Sequence, residues 1–356
     1  MSSRQPNLLF IFTDEQRADT MGAYGNRVIR TPNLDRLASG GVVFERAYVT
    51  QSVCTPSRAS IMTGLYPHNH GCLHNNIPLP EGVPTLVELA DFSDYTTCYN
   101  GKWHLGDEVF CQHGFDQWIS IEDAYRGYYS ARRDRDTHSS YHHWLVDHGL
   151  TPPRVGHDGF DGWSRGDAAA LPERFCKPTF QAERAEAFLR DNRDNPFVLY
   201  VNFLEPHMPF TGPRDDMYGR DEVELPSTLN RRPDERTPLR ARAFPYMPHF
   251  RKFLPGEPTE AQWRDLVARY WGLVSQVDTA VGRILSTLAE CGLEENTIVV
   301  FTSDHGDMMG NHGLVTKCQQ YEEAVRVPLL MRGPGIRLGR IAEPVGQVDL
   351  VPTLLE

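Results

Sequence analysis

Short apolar or β-branched runs alternate with helical patterns along this chain, and that alternation leaves few folds open. Leu8–Phe12, Val42–Val49, Tyr95–Tyr99, Phe197–Phe203 and Ile298–Thr302 each read as strands. Strands interleaved with helices build an α/β fold whose sheet is mostly parallel and flanked by helices. Each run leads into residues that carry chemistry: Asp14-Glu15, Cys54, Gly101-Lys102-Trp103-His104, Glu205-Pro206-His207 and Asp304-His305. Ligands of an open parallel sheet bind beyond the carboxyl ends of its strands. One polar residue after a strand is an ordinary loop residue, but five such ends together predict a single convergent site.

Helices are marked at their ends. Thr31-Pro32 opens one, as N-cap and first helical residue, and Gly40-Gly41 closes it. A longer helix runs from about Gln262 to Glu290, with Leu266, Tyr270, Leu273, Val277, Val281 and Leu288 on its core stripe. Two segments, 107–178 and 206–258, lack clear periodicity and read as pocket-forming insertions. The first holds His138, His142, His143, His148 and His157, which lack a metal-binding spacing and read as a solvated loop. It also holds Trp118, Tyr125, Tyr128, Tyr129, Trp144 and Trp163, which suit either packing or stacking on a sugar or aromatic ring.

At 356 residues the chain is long for one core, so one large α/β domain or two packed lobes is the expectation, and residues 1–356 are read as one α/β domain. Its formal net charge of −11 disfavours nucleic acid and anionic membranes as partners, so an anionic substrate needs a local basic pocket. The apolar run at residues 7–12 falls far short of the roughly 20 residues that span a bilayer. Leu8 is followed within a few residues by Thr13-Asp14-Glu15, unlike a secretory leader; the expected location is cytoplasmic. Seven cysteines without a C-x-x-C pair suggest neither a disulfide framework nor a zinc knuckle.

One of those cysteines stands in Cys54-Thr55-Pro56-Ser57-Arg58. Thr55 as cap and Pro56 as first helical residue would place Cys54 at the mouth of a helix ending near Gly64. Free N–H groups and the helix dipole favour an anion there. Arg58 lies one turn on, where a cation opposes the dipole, so it is expected to serve a ligand.

C-x-P-S-R followed by Ala59-Ser60 and Thr63-Gly64-Leu65-Tyr66-Pro67 resembles the first signature of the type I, formylglycine-dependent sulfatases of the alkaline phosphatase-like superfamily. Tyr95-Thr-Thr-x-x-Asn100-Gly-Lys102-Trp-His104-Leu-Gly resembles their second. Thr13-Asp14-Glu15-Gln16, the Thr31–Leu37 segment, Glu205-Pro-His207-x-Pro209 and Ser303-Asp304-His305-Gly306-Asp307 follow in the family's order. The resemblance runs from residue 7 to about 352.

It implies that Cys54 is oxidised to formylglycine by a formylglycine-generating enzyme, and that one hydroxyl of the hydrated aldehyde attacks sulfur while the second later expels sulfate. By the same resemblance Asp14, Glu15, Asp304 and His305 ligate a divalent cation together with residue 54. An oxygen-rich shell suits Ca²⁺, while the His305 nitrogen, where many members carry Asn, admits Mn²⁺, with Mg²⁺ also possible. Arg58, Lys102 and Lys317 would neutralise the sulfate oxygens; His104 would be the base of the elimination step, and His207, with Lys317, would protonate the leaving alcohol. Asn75 resembles a substrate-contacting asparagine, with Asn76 as its neighbour and rival.

The expected activity is therefore sulfuric ester hydrolysis on an aryl, alkyl or carbohydrate sulfate. A phosphonate monoester or phosphodiester hydrolase using the same site is the alternative, against which Gly-Lys102-Trp-His104 argues. A third reading is a non-catalytic protein that binds metal and anions with Cys54 unconverted. Val345–Glu356 reads as a strand end and a helix, where family members continue into a smaller C-terminal subdomain; this chain is expected to lack that subdomain.

Overall fold

The structure is a computed structural model that describes residues 6–153, 162–238 and 256–356. The strands are β1 (Asn7–Asp14), β2 (Val42–Phe44), β3 (Ala47–Tyr48), β4 (Thr96–Gly101), β5 (Gln117–Ser120), β6 (Phe197–Pro206), β7 (Thr297–Ser303), β8 (Arg326–Val327), β9 (Leu329–Arg332), β10 (Gly339–Ile341) and β11 (Val345–Gly346). Eight form the main sheet in the order β10-β2-β9-β7-β1-β6-β4-β5, in which only β9 runs antiparallel to its neighbours. Strands β11, β3 and β8 form a small second sheet. The expected strand over Val42–Val49 is in fact two, β2 and β3, one in each sheet.

The main helices are α1 (Pro32–Ser39), α2 (Cys54–Thr63), α3 (Ser140–Asp147), α4 (Arg165–Ala169), α5 (Lys177–Asp191), α6 (Glu260–Glu290) and α7 (Leu350–Leu355). Because strand side chains alternate between faces, β1 divides its residues between two cores. Leu9 and Ile11 meet Val277, Val281 and Ile284 of α6 and Ala185 and Phe188 of α5. Leu8, Phe10 and Phe12 face the opposite way, towards Ala59, Ile61 and Met62 of α2. The sheet is thus covered on both faces, and the predicted layering is borne out. Helix α6 begins two residues earlier than the apolar stripe indicated, because Thr259 and Gln262 form a capping box.

The segment 107–178 is more regular than its sequence suggested. It holds β5, α3 and α4, and Trp118, Trp144 and Tyr129 are packing residues. Its histidines are not uniformly solvated. His142 is buried, stacks on His138 with ring centroids 3.7 Å apart, and has Nδ1 3.7 Å from Asp123 Oδ2. His157 lies outside the described residues.

Parallel pairing brings the strand ends into register: Phe12 lies beside both Asn202 and Thr302, Thr13 beside Ser303, and Gly101 beside Asn202. The residues that follow β1, β4, β6 and β7 therefore share one edge of the sheet, with the first turn of α2 above them.

Candidate active site

Cys54 is the first residue of α2 and is 1% exposed. The capping arrangement differs from expectation. Val53, not Thr55, is the N-cap residue, and no side chain caps the helix from that position. The Thr55 hydroxyl instead donates to the His104 carbonyl at 2.8 Å and accepts from Asn76 N–H at 3.2 Å, while Asn75 Oδ1 accepts from Thr55 N–H at 3.0 Å. Thr55 thus ties the helix mouth to both the Lys102–His104 turn and the asparagine pair.

Around the Cys54 sulfur, His305 Nε2 lies at 3.3 Å and Asp14 Oδ1 at 3.8 Å. His305 Nε2 is in turn 3.7 Å from Asp14 Oδ1 and 3.5 Å from Asp304 Oδ1. The four residues Asp14, Cys54, Asp304 and His305 each offer a ligand atom within 4.8 Å of the others, and all are buried. The outer oxygens are already taken: Arg58 Nη2 holds Asp14 Oδ2 at 2.7 Å, Arg58 Nε holds Asp304 Oδ2 at 2.8 Å, and Lys102 Nζ reaches Asp14 Oδ2 at 2.5 Å. Both carboxylates therefore turn Oδ1 inward, and His305, whose Nδ1–H donates to the Gly306 carbonyl at 2.9 Å, turns Nε2 inward. Such a donor set fits a divalent cation.

Glu15 stands apart from these four. Its Oε2 accepts from Lys317 Nζ at 2.9 Å and lies 3.6 Å from His207 Nε2, and its carboxyl also meets that of Asp307. With Asp14 and His207 it forms a second group of adjacent donors. Lys317 is buried. Arg58 also departs from expectation, since its donors reach Asp14, Asp304, Asn202 Oδ1 and the Lys102 carbonyl, all within the protein.

Burial and charge tune these groups. Burial and the Asp14 carboxylate oppose ionisation of the Cys54 thiol, but Lys102, Lys317 and His305 outweigh them and bring its pKa below the ordinary thiol value. Burial resists charge on Asp14, yet Lys102, His207, Arg58 and Lys317 hold it well below the carboxylate range. Burial raises Glu15 to about 8 against the pull of Lys317. Burial also opposes a charge on His305, but Asp304 more than compensates and lifts it to about 9. A cation binding through His305 Nε2 would displace that proton.

His104 adopts a left-handed backbone (φ 59°), and Glu108 accepts from Trp103 N–H at 2.8 Å and His104 N–H at 2.6 Å. Its Nε2 lies 2.9 Å from Asn76 Oδ1. That oxygen only accepts, so Nε2 carries the proton and the buried Nδ1, which has no partner among the described residues, is bare. Burial, then Lys102, Arg58 and Arg165, keep the imidazole neutral. Burial and Lys317 do the same for His207.

Sequence reasoning missed two neighbours of this centre, Asn202 and Arg165, and left the contacts of Asn76 and Tyr125 open. Asn202, which fixes Arg58 at 2.6 Å, was visible as a polar residue inside an apolar strand. Asn76 Oδ1 meets His104 Nε2, while Asn75 Oδ1 holds the Thr55 N–H. Tyr125 stacks on His104 with centroids 4.2 Å apart, and its hydroxyl accepts from Arg165, which no sequence motif marked.

The sulfatase family profile matches residues 6–356. The chain is 30% identical over 368 residues to an uncharacterized sulfatase YidJ of Escherichia coli, covering 99% of this chain and 67% of that one. It is 32% identical over 378 residues to an arylsulfatase of Clostridium perfringens, covering 99% and 74%. Among solved structures it is similar to a phosphonate monoester hydrolase of Silicibacter pomeroyi, with a TM-score of 0.79, 26% identity and coverage of 99% and 72%. The family-wide match and the order of strand ends around Cys54 agree: the chain belongs to the sulfatase family.

Proposed function

We propose that this protein hydrolyses a sulfate monoester of an aryl, alkyl or carbohydrate alcohol, with residue 54 as formylglycine and one divalent cation, calcium by preference, beside it. The observation that carries the reading is the arrangement at Cys54, where two carboxylate oxygens and one imidazole nitrogen converge on the residue that the family converts. Once formed and bound, the hydrated aldehyde supplies an oxygen nucleophile and the cation supplies positive charge for the sulfate oxygens. Conversion of Cys54 requires a formylglycine-generating enzyme as a partner during maturation.

The chain's own residues divide the remaining work. Arg58 and Lys102 orient Asp14 and Asp304 and contribute positive potential where the sulfate oxygens gather. His104 Nδ1 is a bare, neutral nitrogen that can take a proton from a hydroxyl at position 54. Lys317 remains protonated, because its carboxylate neighbours and the Cys54 position outweigh burial, and it can donate to the leaving oxygen. His207 Nδ1–H donates to the Met208 carbonyl at 2.7 Å, leaving Nε2 to exchange a proton. An anionic substrate beside it raises its proton affinity.

Phosphonate monoester hydrolysis is the second reading, favoured by similarity to the Silicibacter pomeroyi enzyme. The two separate by kinetics on protein co-produced with a converting enzyme. The main reading expects kcat/KM for an aryl sulfate to exceed that for a phenyl phosphonate ester; the reverse ranking supports the second, and inactivity on both supports anion binding alone.

A further inference from the structure

On the His207 side of the centre lies a run of charged residues that the hydrolytic roles above leave unused. Glu122, just after β5, is buried and takes three donors: Lys177 Nζ at Oε1, and Arg165 Nε at 2.6 Å and Nη2 at 2.5 Å, both at Oε2. Lys177 is 2% exposed, but the Arg165 side chain is 23% exposed. Arg165 Nη2 also donates to the Tyr125 hydroxyl. Nη1 has no hydrogen-bond partner among the described residues. The guanidinium is thus anchored along one edge and open along the other.

The charges here do not balance. Arg165 and Lys177 share Glu122, which burial resists charging but which those two pull down to about 2. Glu205, which also feels both cations, is lifted by burial to about 7 and leaves Oε2 without a hydrogen-bond partner among the described residues, and Asp14 is already held by Lys102 and Arg58. A partly buried cation surplus is costly unless an anion completes it. Arg165 lines a small hollow with His207, Lys177, Glu205 and Pro209, which sets it beside the histidine assigned above to proton exchange with the leaving oxygen.

We propose that Arg165 is a specificity-determining residue that binds, through its free edge, a second oxyanion on the leaving group of the substrate. Tyr125, held by Arg165 and stacked on His104, fixes that subsite relative to the reacting centre. The preferred substrate class is then a sulfate ester whose alcohol carries a carboxylate or a further sulfate. This assignment rests on the sulfatase reading.

The test uses three aryl sulfates of matched leaving-group acidity, bearing a ring carboxylate, a ring sulfonate or a neutral carboxamide, on protein with aldehyde established at position 54. One charge-assisted hydrogen bond predicts a kcat/KM preference of about 10- to 100-fold for an anionic ring, and the better of the two identifies the oxyanion. In Arg165→Gln the preference should collapse towards one, chiefly through KM, while Arg165→Lys keeps part of it. Tyr125→Phe, which removes one anchor of the guanidinium but keeps the ring, should weaken the preference and covers the case of a poorly folded Arg165 variant. Equal rates on all three esters in the unmodified protein, or an equal loss on all three in Arg165→Gln, would overturn the assignment alone. Hydrolysis of none of them would overturn the sulfatase reading with it.

Discussion

Arg58 Nη2 sits 2.7 Å from Asp14 Oδ2, and the same guanidinium holds Asp304 Oδ2 at 2.8 Å. One buried side chain on α2 therefore fixes the carboxylates that end β1 and follow β7, and turns their other oxygens towards Cys54. Removing it leaves two buried carboxylates short of their counter-ion. Arg58→Met should cost about 3–5 kcal/mol in urea unfolding of the metal-free protein. Arg58→Lys should recover little, since an ammonium cannot span both carboxylates as the guanidinium fork does. Stability equal to the parent would show that the fork does not organise the centre.

Metal removal should be felt as stability. A cation that binds only the folded state adds about 2.7 kcal/mol at a concentration one hundred times its Kd. Chelator treatment is expected to lower the Tm, and titration with Ca²⁺, Mn²⁺ or Mg²⁺ to restore it, Ca²⁺ at the lowest concentration. Asp304→Asn should blunt the response. A Tm indifferent to all three ions would count against the donor set formed by Asp14, Asp304 and His305.

Asn76 orients His104 by accepting from its Nε2–H at 2.9 Å. Asn76→Ala frees the His104 Nε2–H and removes a hydrogen bond worth about 1 kcal/mol. The expected result is a fall in kcat of about 5- to 10-fold with KM little changed. The acidic limb of the pH profile should shift as well, because the base loses its fixed tautomer. A loss confined to KM would place Asn76 on the substrate instead.

His70 offers a test of pH linkage away from the metal centre. Burial lowers its pKa from 6.5 to about 4, and its neutral ring accepts from Cys72 N–H at Nδ1 (3.1 Å) and meets Ser60 Oγ at Nε2 (3.2 Å). A depressed histidine contributes stability that is complete above pH 6.5 and lost as the pH falls towards 4, with a slope of up to about 1.4 kcal/mol per pH unit. His70→Gln should be less stable at neutral pH and show a shallower decline across that window. An unchanged slope would mean that other groups carry the acid sensitivity.

How far the sequence could be read depended on whether a residue's partner was close along the chain. The centre of the sheet was legible because β1, β4, β6 and β7 are apolar or β-branched runs with their own boundaries, whereas β5, β9 and β10, of only three or four residues, are too short to stand out as such runs and were not read; Asp14, Cys54, Lys102, His104, His207 and Asp304 were legible because each follows a run that was. The capping of α2 was misjudged because Thr55 is satisfied by His104 and Asn76, 49 and 21 residues away. The task of Arg58 was misjudged for the same reason, its partners Asp14 and Asp304 lying 44 and 246 residues away. Arg165 and Glu122 carry no local signal at all; only folding of the 107–178 segment sets them beside Tyr125 and the His104 ring.

The central claim is that Cys54 is the precursor of the nucleophile, and peptide mass spectrometry on the tryptic fragment from Ala47 to Arg58 tests it most directly, using protein made with a formylglycine-generating enzyme. The account predicts an aldehyde at position 54, with sulfatase activity rising in proportion to the converted fraction. Unmodified cysteine in the presence of a competent converting enzyme, or activity that does not follow conversion, would contradict it.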